Sequence, residues 1–257
     1  MLFNPTTFIG IDPSAGQRPF SYAALDNDLN PLAIGGGRIE DVLAFAAGQR
    51  QAIVAVCAPR QPNQGVMQRQ EIRQSLSPMP ATGRWVDFRL ADYLLRKHQI
   101  YIPQTPATEE ACPNWMKMGF RVYRSLEKLG YKFFPDPEAE LQVLEVYPFA
   151  CYAVLLEVLP FQKYSLEGRI QRQLALYEQK VKLPDPMLVF EEITRYKLLK
   201  GILSLDQLFQ PEELDALVAA FTAWQAINHS EDILLVGDPQ EGQIVLPVAE
   251  LKAQYSS

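Results

Sequence analysis

Four apolar runs separated by turn-prone residues dominate the first sixty positions. Residues 6–12, Phe20 to Leu25 and Pro31 to Gly36 each have strand length, with Asp26-Asn27-Asp28 and Gly35-Gly36-Gly37 as turn signals. Connections this short favour an antiparallel meander. Residues 39–48 switch to helical spacing through Ile39, Val42, Leu43 and Ala46. Ala52-Ile53-Val54-Ala55-Val56-Cys57 is apolar without alternation, as in a central strand covered on both faces. A strand reached through a helix normally runs parallel to its predecessors in the sheet.

From Pro59 to about Pro113 the texture changes to Pro, Gln and Arg, and only Phe88 to Lys97 has helical spacing. This reads as a long active-site or lid region, with residues 59–140 inserted into one domain spanning 1–257. Beyond it the pattern predicts an amphipathic helix from Trp115 to Leu129 and a buried strand from Leu141 to Tyr147. Helices are expected at 149–158, 165–181 and 188–200, broken by Pro160 and Pro184. An Ala-rich helix over 212–227 and a hairpin of Ile233–Gly237 with Gln243–Leu246 complete the pattern. The expected class is α/β, a mixed sheet flanked by helices.

Composition narrows the setting. A hydrophobic fraction of 48% and a charged fraction of 21% over 257 residues are those of an ordinary globular protein able to bury a large core. No run approaches about 18 apolar residues, and Met1-Leu2-Phe3-Asn4-Pro5 lacks the features of a signal peptide. No membrane partner is therefore expected. Three widely spaced cysteines, Cys57, Cys112 and Cys151, argue against a disulfide framework or a zinc ribbon, so the expected location is cytoplasmic. The net charge of −6 excludes a global attraction to nucleic acid. Local basic groups remain, among them Arg69 and Arg73, Arg84 to Lys97, and Lys163 to Lys182.

Three acids interrupt otherwise apolar elements: Asp12 at the end of the first strand, Glu145 in the strand before Tyr147, and Asp215 in the Ala-rich helix. Asp12 shares a strand face with Phe8 and Gly10, and Glu145 with Val143 and Tyr147. Ligands in α/β sheets gather at the carboxyl ends of strands, where Asp12 and Glu145 lie. If the three acids converge, their hard oxygens suit Mg²⁺ or Mn²⁺. Each has a plainer reading: Asp12 as a turn residue, Glu145 as a buried ion pair with an arginine of the lid, Asp215 as a solvent-facing acid near a helix start. Arg89, Asp92 and Arg96 lie on one helical flank, either as an ion-pair ladder or with Arg89 clamping a phosphate and Asp92 orienting it. Arg169 and Arg172 form a second pair facing either a polyanion or water.

The segments Phe8-Ile9-Gly10-Ile11-Asp12, Ala55-Val56-Cys57-Ala58-Pro59, Arg89-Leu90-Ala91-Asp92, Leu144-Glu145-Val146-Tyr147-Pro148, Glu167-Gly168-Arg169 with Arg172, Asp215-Ala216-Leu217, and Gly237-Asp238 with Glu241-Gly242 follow in order. Together they resemble family 429 of the domains of unknown function (DUF429), regarded as RNase H-like nucleases, from about residue 7 to 247. The resemblance implies a ribonuclease-H-like core of antiparallel meander plus parallel strands. In related folds such as Holliday-junction resolvases, acids come from the first strand, the fourth strand and a late helix. Asp12 and Asp215 match the first and last. The second acid should stand at Cys57, in a motif usually resembling Ile-Asp-Ala-Pro.

A thiol is a soft ligand that does not replace a carboxylate for Mg²⁺. As a nucleophile Cys57 needs a base, and the only histidines are His98 and His229, neither in a motif. Glu145 is expected to compensate. The expected function is a metal-dependent nuclease with an incomplete acidic site: Asp12, Glu145 and Asp215 as metal ligands and catalytic groups, Arg89, Asp92, Arg169 and Arg172 on a nucleic-acid substrate. The alternative is a degenerate relative that binds nucleic acid, a nucleotide or a protein without cleaving. A kinase-like ATPase is a weaker third, since Asp12-Pro13-Ser14-Ala15-Gly16 is a poor phosphate loop.

Overall fold

A computed structural model describes residues 6–13, 19–77, 79–80, 83, 85–203 and 205–256. Ser14, Ala15 and Gly16 of the weak phosphate loop, and Arg84, lie outside the described residues. The elements in chain order are β1 (Thr7–Asp12), β2 (Phe20–Leu25), β3 (Pro31–Gly37), α1 (Ile39–Ala47), β4 (Ala52–Val56), α2 (Gln70–Ser75), α3 (Leu90–Lys97), α4 (Asn114–Lys128), β5 (Lys132–Phe133) and β6 (Leu141–Glu145). They continue with α5 (Pro148–Leu156), α6 (Leu166–Glu178), α7 (Leu188–Glu192), α8 (Arg195–Leu199), α9 (Pro211–Asn228), β7 (Leu234–Asp238) and β8 (Gly242–Leu246).

The strands form one mixed sheet in the order β3-β2-β1-β4-β6-β8-β7, with β5 attached beside β6. The meander β1-β2-β3 is antiparallel, as the short turns require. β4 joins β1 in parallel after α1, and β6 and β8 extend the parallel part. Helices flank both faces, an arrangement consistent with an α/β RNase H-like fold.

Period-two alternation assigns the faces. Ile9, Ile11, Val54, Val56 and Val143 pack toward α1 and α4. Phe8, Ala55, Cys57, Leu144 and Val146 point the other way, toward α5 and α9. α9 crosses β1, β2 and β4 at close range because Ala216, Ala219, Ala220 and Ala223 are all fully buried and carry only a methyl group. It starts cleanly: Pro211 occupies its first turn, and the Glu213 carboxylate accepts a hydrogen bond from the Gln210 amide at 2.7 Å.

The stretch 59–140, read as an insertion or lid, divides in two. α4 is a core layer, with Val122, Tyr123 and Leu126 buried on the sheet. The part before it runs over the strand ends and is fastened by Glu241, a fully buried acid in the β7–β8 turn. Its oxygens accept hydrogen bonds from Gln64 N at 3.0 Å, Val66 N at 3.3 Å and Leu90 N at 2.8 Å. The last of these opens α3, whose preceding residue Arg89 offers no side-chain cap, so the carboxylate also satisfies that helix's amino end.

Three local differences from the expected elements have physical reasons. The helix expected over 188–200 is two, because Thr194 is extended and caps α8 by accepting from Lys197 N at 3.2 Å. α2 buries no residue, so it leaves no apolar periodicity to read. α6 stops at Glu178, and Lys180 adopts a positive φ of 69°. Among the described residues no helix is long and apolar enough to cross a membrane.

Candidate active site

β1 ends at Asp12, and Pro13 stops the strand there. Cys57 continues the β1–β4 pairing by donating its amide to Ile11 O at 2.9 Å, which sets Cys57 beside Asp12 on the α9 face. Asp215, in the second turn of α9, meets them from above, and Cys57 Sγ lies 3.7 Å from its backbone oxygen. The sequence therefore brings Asp12, Cys57 and Asp215 together as the resemblance implies.

The centre of the site is Lys163, which sequence reasoning had only grouped with other basic residues. Its ammonium donates to Asp215 Oδ2 and stands 4.0 Å from both Asp12 Oδ2 and Glu212 Oε1. Three carboxylates share one ammonium. Its placement depends on Gly168: a Cβ there would fall 1.9 Å from Gln162 O, so only glycine lets the segment carrying Lys163 lie against the first turn of α6. Ser165 completes the turn, accepting from Gly168 N at 3.0 Å. One turn later Arg172 donates to Gly168 O at 2.9 Å and lies 5.4 Å above the Tyr152 ring. A glycine three residues after a capping serine was the available signal for this turn; the lysine's destination was not.

These groups open into a cleft of about 370 Å³. Its polar lining is Asp12, Asp215, Lys163, Arg172 and the Cys57 thiol. Its aromatic lining is Tyr101, Trp115, Tyr147 and Phe149. Burial, reinforced by the Asp215 and Glu212 charges and opposed by Lys163, pushes the Asp12 carboxyl up to about 8. Burial raises Asp215 as well, against the opposing pull of Lys163. For Lys163, burial favours the neutral amine, but Asp215 and Asp12 outweigh it and its pKa rises. Burial, then Asp12 and Asp215, hold the Cys57 thiol well above its ordinary range, so it stays protonated and is no nucleophile. His98 contacts Lys252 O at 2.6 Å, and neither histidine lines the cleft.

A pH dependence follows. Asp12 binds its proton more tightly folded than unfolded, so without added cation stability falls as pH rises from about 4 toward about 8, with a slope of at most about 1.4 kcal/mol per unit. Asp12→Asn removes this contribution. The variant should melt several degrees above the wild type at pH 8 and show little advantage at pH 4, as thermal melts across that range would report.

Glu145 does not reach this cluster. In the parallel register Ile11 lies opposite Val56 and Val56 opposite Glu145, so Glu145 shares the face of Ile11, on the other side of the sheet from Asp12. There it binds Arg89 twice, at 2.9 and 2.5 Å, and accepts from Arg60 N at 3.1 Å. Arg89 Nε completes the set on Asp92 Oδ1 at 3.1 Å, and Asp92 Oδ2 accepts from Thr105 N at 2.8 Å. Arg89 and Asp92 are 1% and 0% exposed, so both are committed internally rather than to a phosphate. Arg169 ties α6 to the loop before α9 through Phe209 O at 2.9 Å and Leu208 O at 2.6 Å, leaving Arg172 as the one arginine of the four expected contacts that lines the cleft. Among the described residues, the three-residue group with ligand atoms close enough to share an ion is the exposed His229, Glu231 and Asp232, not Asp12, Glu145 and Asp215.

Residues 10–241 match the family model described as "Protein of unknown function (DUF429)". No curated protein matches the chain, and no solved structure does.

Proposed function

The chain belongs to the DUF429 family, and we propose that its acidic cleft binds nucleic acid and hydrolyses a phosphodiester with Mg²⁺ or Mn²⁺. The observation that carries this reading is the pair of carboxylates, Asp12 and Asp215, on one ammonium at the sheet's carboxyl edge. Their chemistry suits a hard divalent cation. Three carboxylates face a single lysine, and burial together with that surplus negative charge raises Asp12. Mg²⁺ commonly takes only one or two protein carboxylates, with substrate phosphate and water completing its shell. Asp12 and Asp215 are the residues that would hold it, without Glu145. A bound ion supplies Lewis-acid polarisation of a phosphoryl oxygen and a more acidic water.

The chain's own groups do the rest. Lys163, kept cationic by Asp215 and Asp12, opposes the negative charge that develops on a phosphoryl oxygen. Arg172, fixed by Gly168 O and the Tyr152 ring, brings a planar fork to the lining of the same cleft. The three cysteines, buried and free, accord with the reducing cytoplasm in which we place the protein.

Cys57, and the turn of Glu145 to the opposite face, favour a second reading in which the cleft binds nucleic acid without cutting it. Labelled single-stranded, duplex, hybrid and branched substrates in Mg²⁺ or Mn²⁺ separate the two. Cleavage by the wild type that falls by about 10³-fold or more in Asp12→Asn supports the hydrolase. Binding without cleavage by either protein rejects it for those substrates. Mg²⁺ should also raise the melting temperature of the wild type and not of the variant.

A further inference from the structure

The lining of the cleft combines cations with aromatic rings, and that combination says what form of nucleic acid fits. Lys163 and Arg172 line it together with Trp115, Tyr147 and Tyr101, the last at 64% exposure. Trp115 lies in the first turn of α4, and Tyr147 is the extended residue that precedes the first turn of α5, in the short link from β6. A cleft of about 370 Å³ has room for one small ligand, not for a duplex. The two cations on its lining suit a single phosphate rather than the run of phosphates along a double-helical backbone.

We propose that the cleft takes one unstacked nucleotide of a single-stranded chain, its base against Trp115 and Tyr147 and its phosphate at Lys163 and Arg172. This rests on the reading of the cleft as a nucleic-acid site and specifies the substrate class. Aromatic rings stack on any base, so the site is tolerant of sequence. Tyr101, mostly in water, is the ring a base would cover on entry.

The test is equilibrium binding of three labelled probes of equal length to the full chain without divalent metal: a mixed-sequence single strand, its duplex, and a strand of abasic sites. The abasic strand carries the same phosphates and no bases. It should bind about tenfold or more weaker than the intact strand, and the duplex weaker still. The log–log salt slope for the single strand should be shallow, about −0.7, from one neutralised phosphate. Trp115→Ala should narrow the gap between intact and abasic strands; Tyr101→Ala, at an exposed position, should do the same if the first variant fails to fold. Equal affinity for intact and abasic strands, tighter binding of the duplex, or no binding of the single strand overturns the proposal. Cleavage of duplex in Mg²⁺ with no dependence on bases would overturn it while leaving the hydrolase reading in place. Base-dependent binding with no cleavage would do the reverse.

Discussion

Arg89→Ala should destabilise the protein by about 3–5 kcal/mol, because it strands two buried carboxylates at once. Glu145 and Asp92, at 4% and 0% exposure, both rely on this guanidinium for their charge, and burial of an uncompensated carboxylate is among the costliest single defects in a core. The melting temperature should fall by roughly 6–20 °C for a domain of this size. Arg89→Lys should recover only part of the loss, since one ammonium cannot reproduce the fork that meets Glu145 twice and Asp92 once. Replacing Arg89, Glu145 and Asp92 together with apolar residues of similar volume should restore much of the stability. An Arg89→Ala variant with unchanged melting and reduced nucleic-acid affinity would show that Arg89 serves substrate, not the fold.

Gly10→Ala is the second large effect. An added Cβ would fall 1.8 Å from Ala216 O and 2.7 Å from Ala220 N, both backbone atoms of α9 that no rotamer change can move. The helix must lift from β1, at a cost at or beyond the usual range of about 1–3 kcal/mol for overpacking. Asp215 rides on that helix and Asp12 follows Gly10 on the strand by two, so the same lift draws the acids apart. Loss of activity should therefore exceed what the melting curve alone accounts for. Gly35→Ala is the matched control: its Cβ meets nothing within 4 Å, and the variant should melt close to the wild type.

Much of the sheet was legible because each strand is short, apolar and bounded by turn residues, and because Pro13, Pro148 and the aspartates of the first turn mark ends unambiguously. The alanine stripe of α9 was legible for a related reason: small residues at helical spacing have few uses other than close approach. Glu145 was not. Alternation within a strand tells which of its residues share a face, but not which face of the next strand coincides with it; that depends on register, here Val56 with Glu145 rather than Cys57 with Glu145. Lys163 was hidden for another reason. It sits in a loop with no periodicity, and its position is set by Gly168 five residues on and by carboxylates 49 and more residues distant in sequence. The plain reading of Glu145 as an ion pair with an arginine before α3 is the one the geometry displays.

The fastening of residues 64–90 by Glu241 bears on the order in which the molecule is built. Three amides near the front of the crossover wait on one carboxylate supplied by the β7–β8 turn, close to 150 residues or more downstream. A chain emerging from its amino end can assemble β1 to β4 and lay α1 against them, but the strap above the strand ends has nothing to hold it until that hairpin arrives. Fastening this strap is thus a late event of synthesis, and a nascent chain halted before β7 would carry β1 to β4 with the amides of Gln64, Val66 and Leu90 still without their carboxylate.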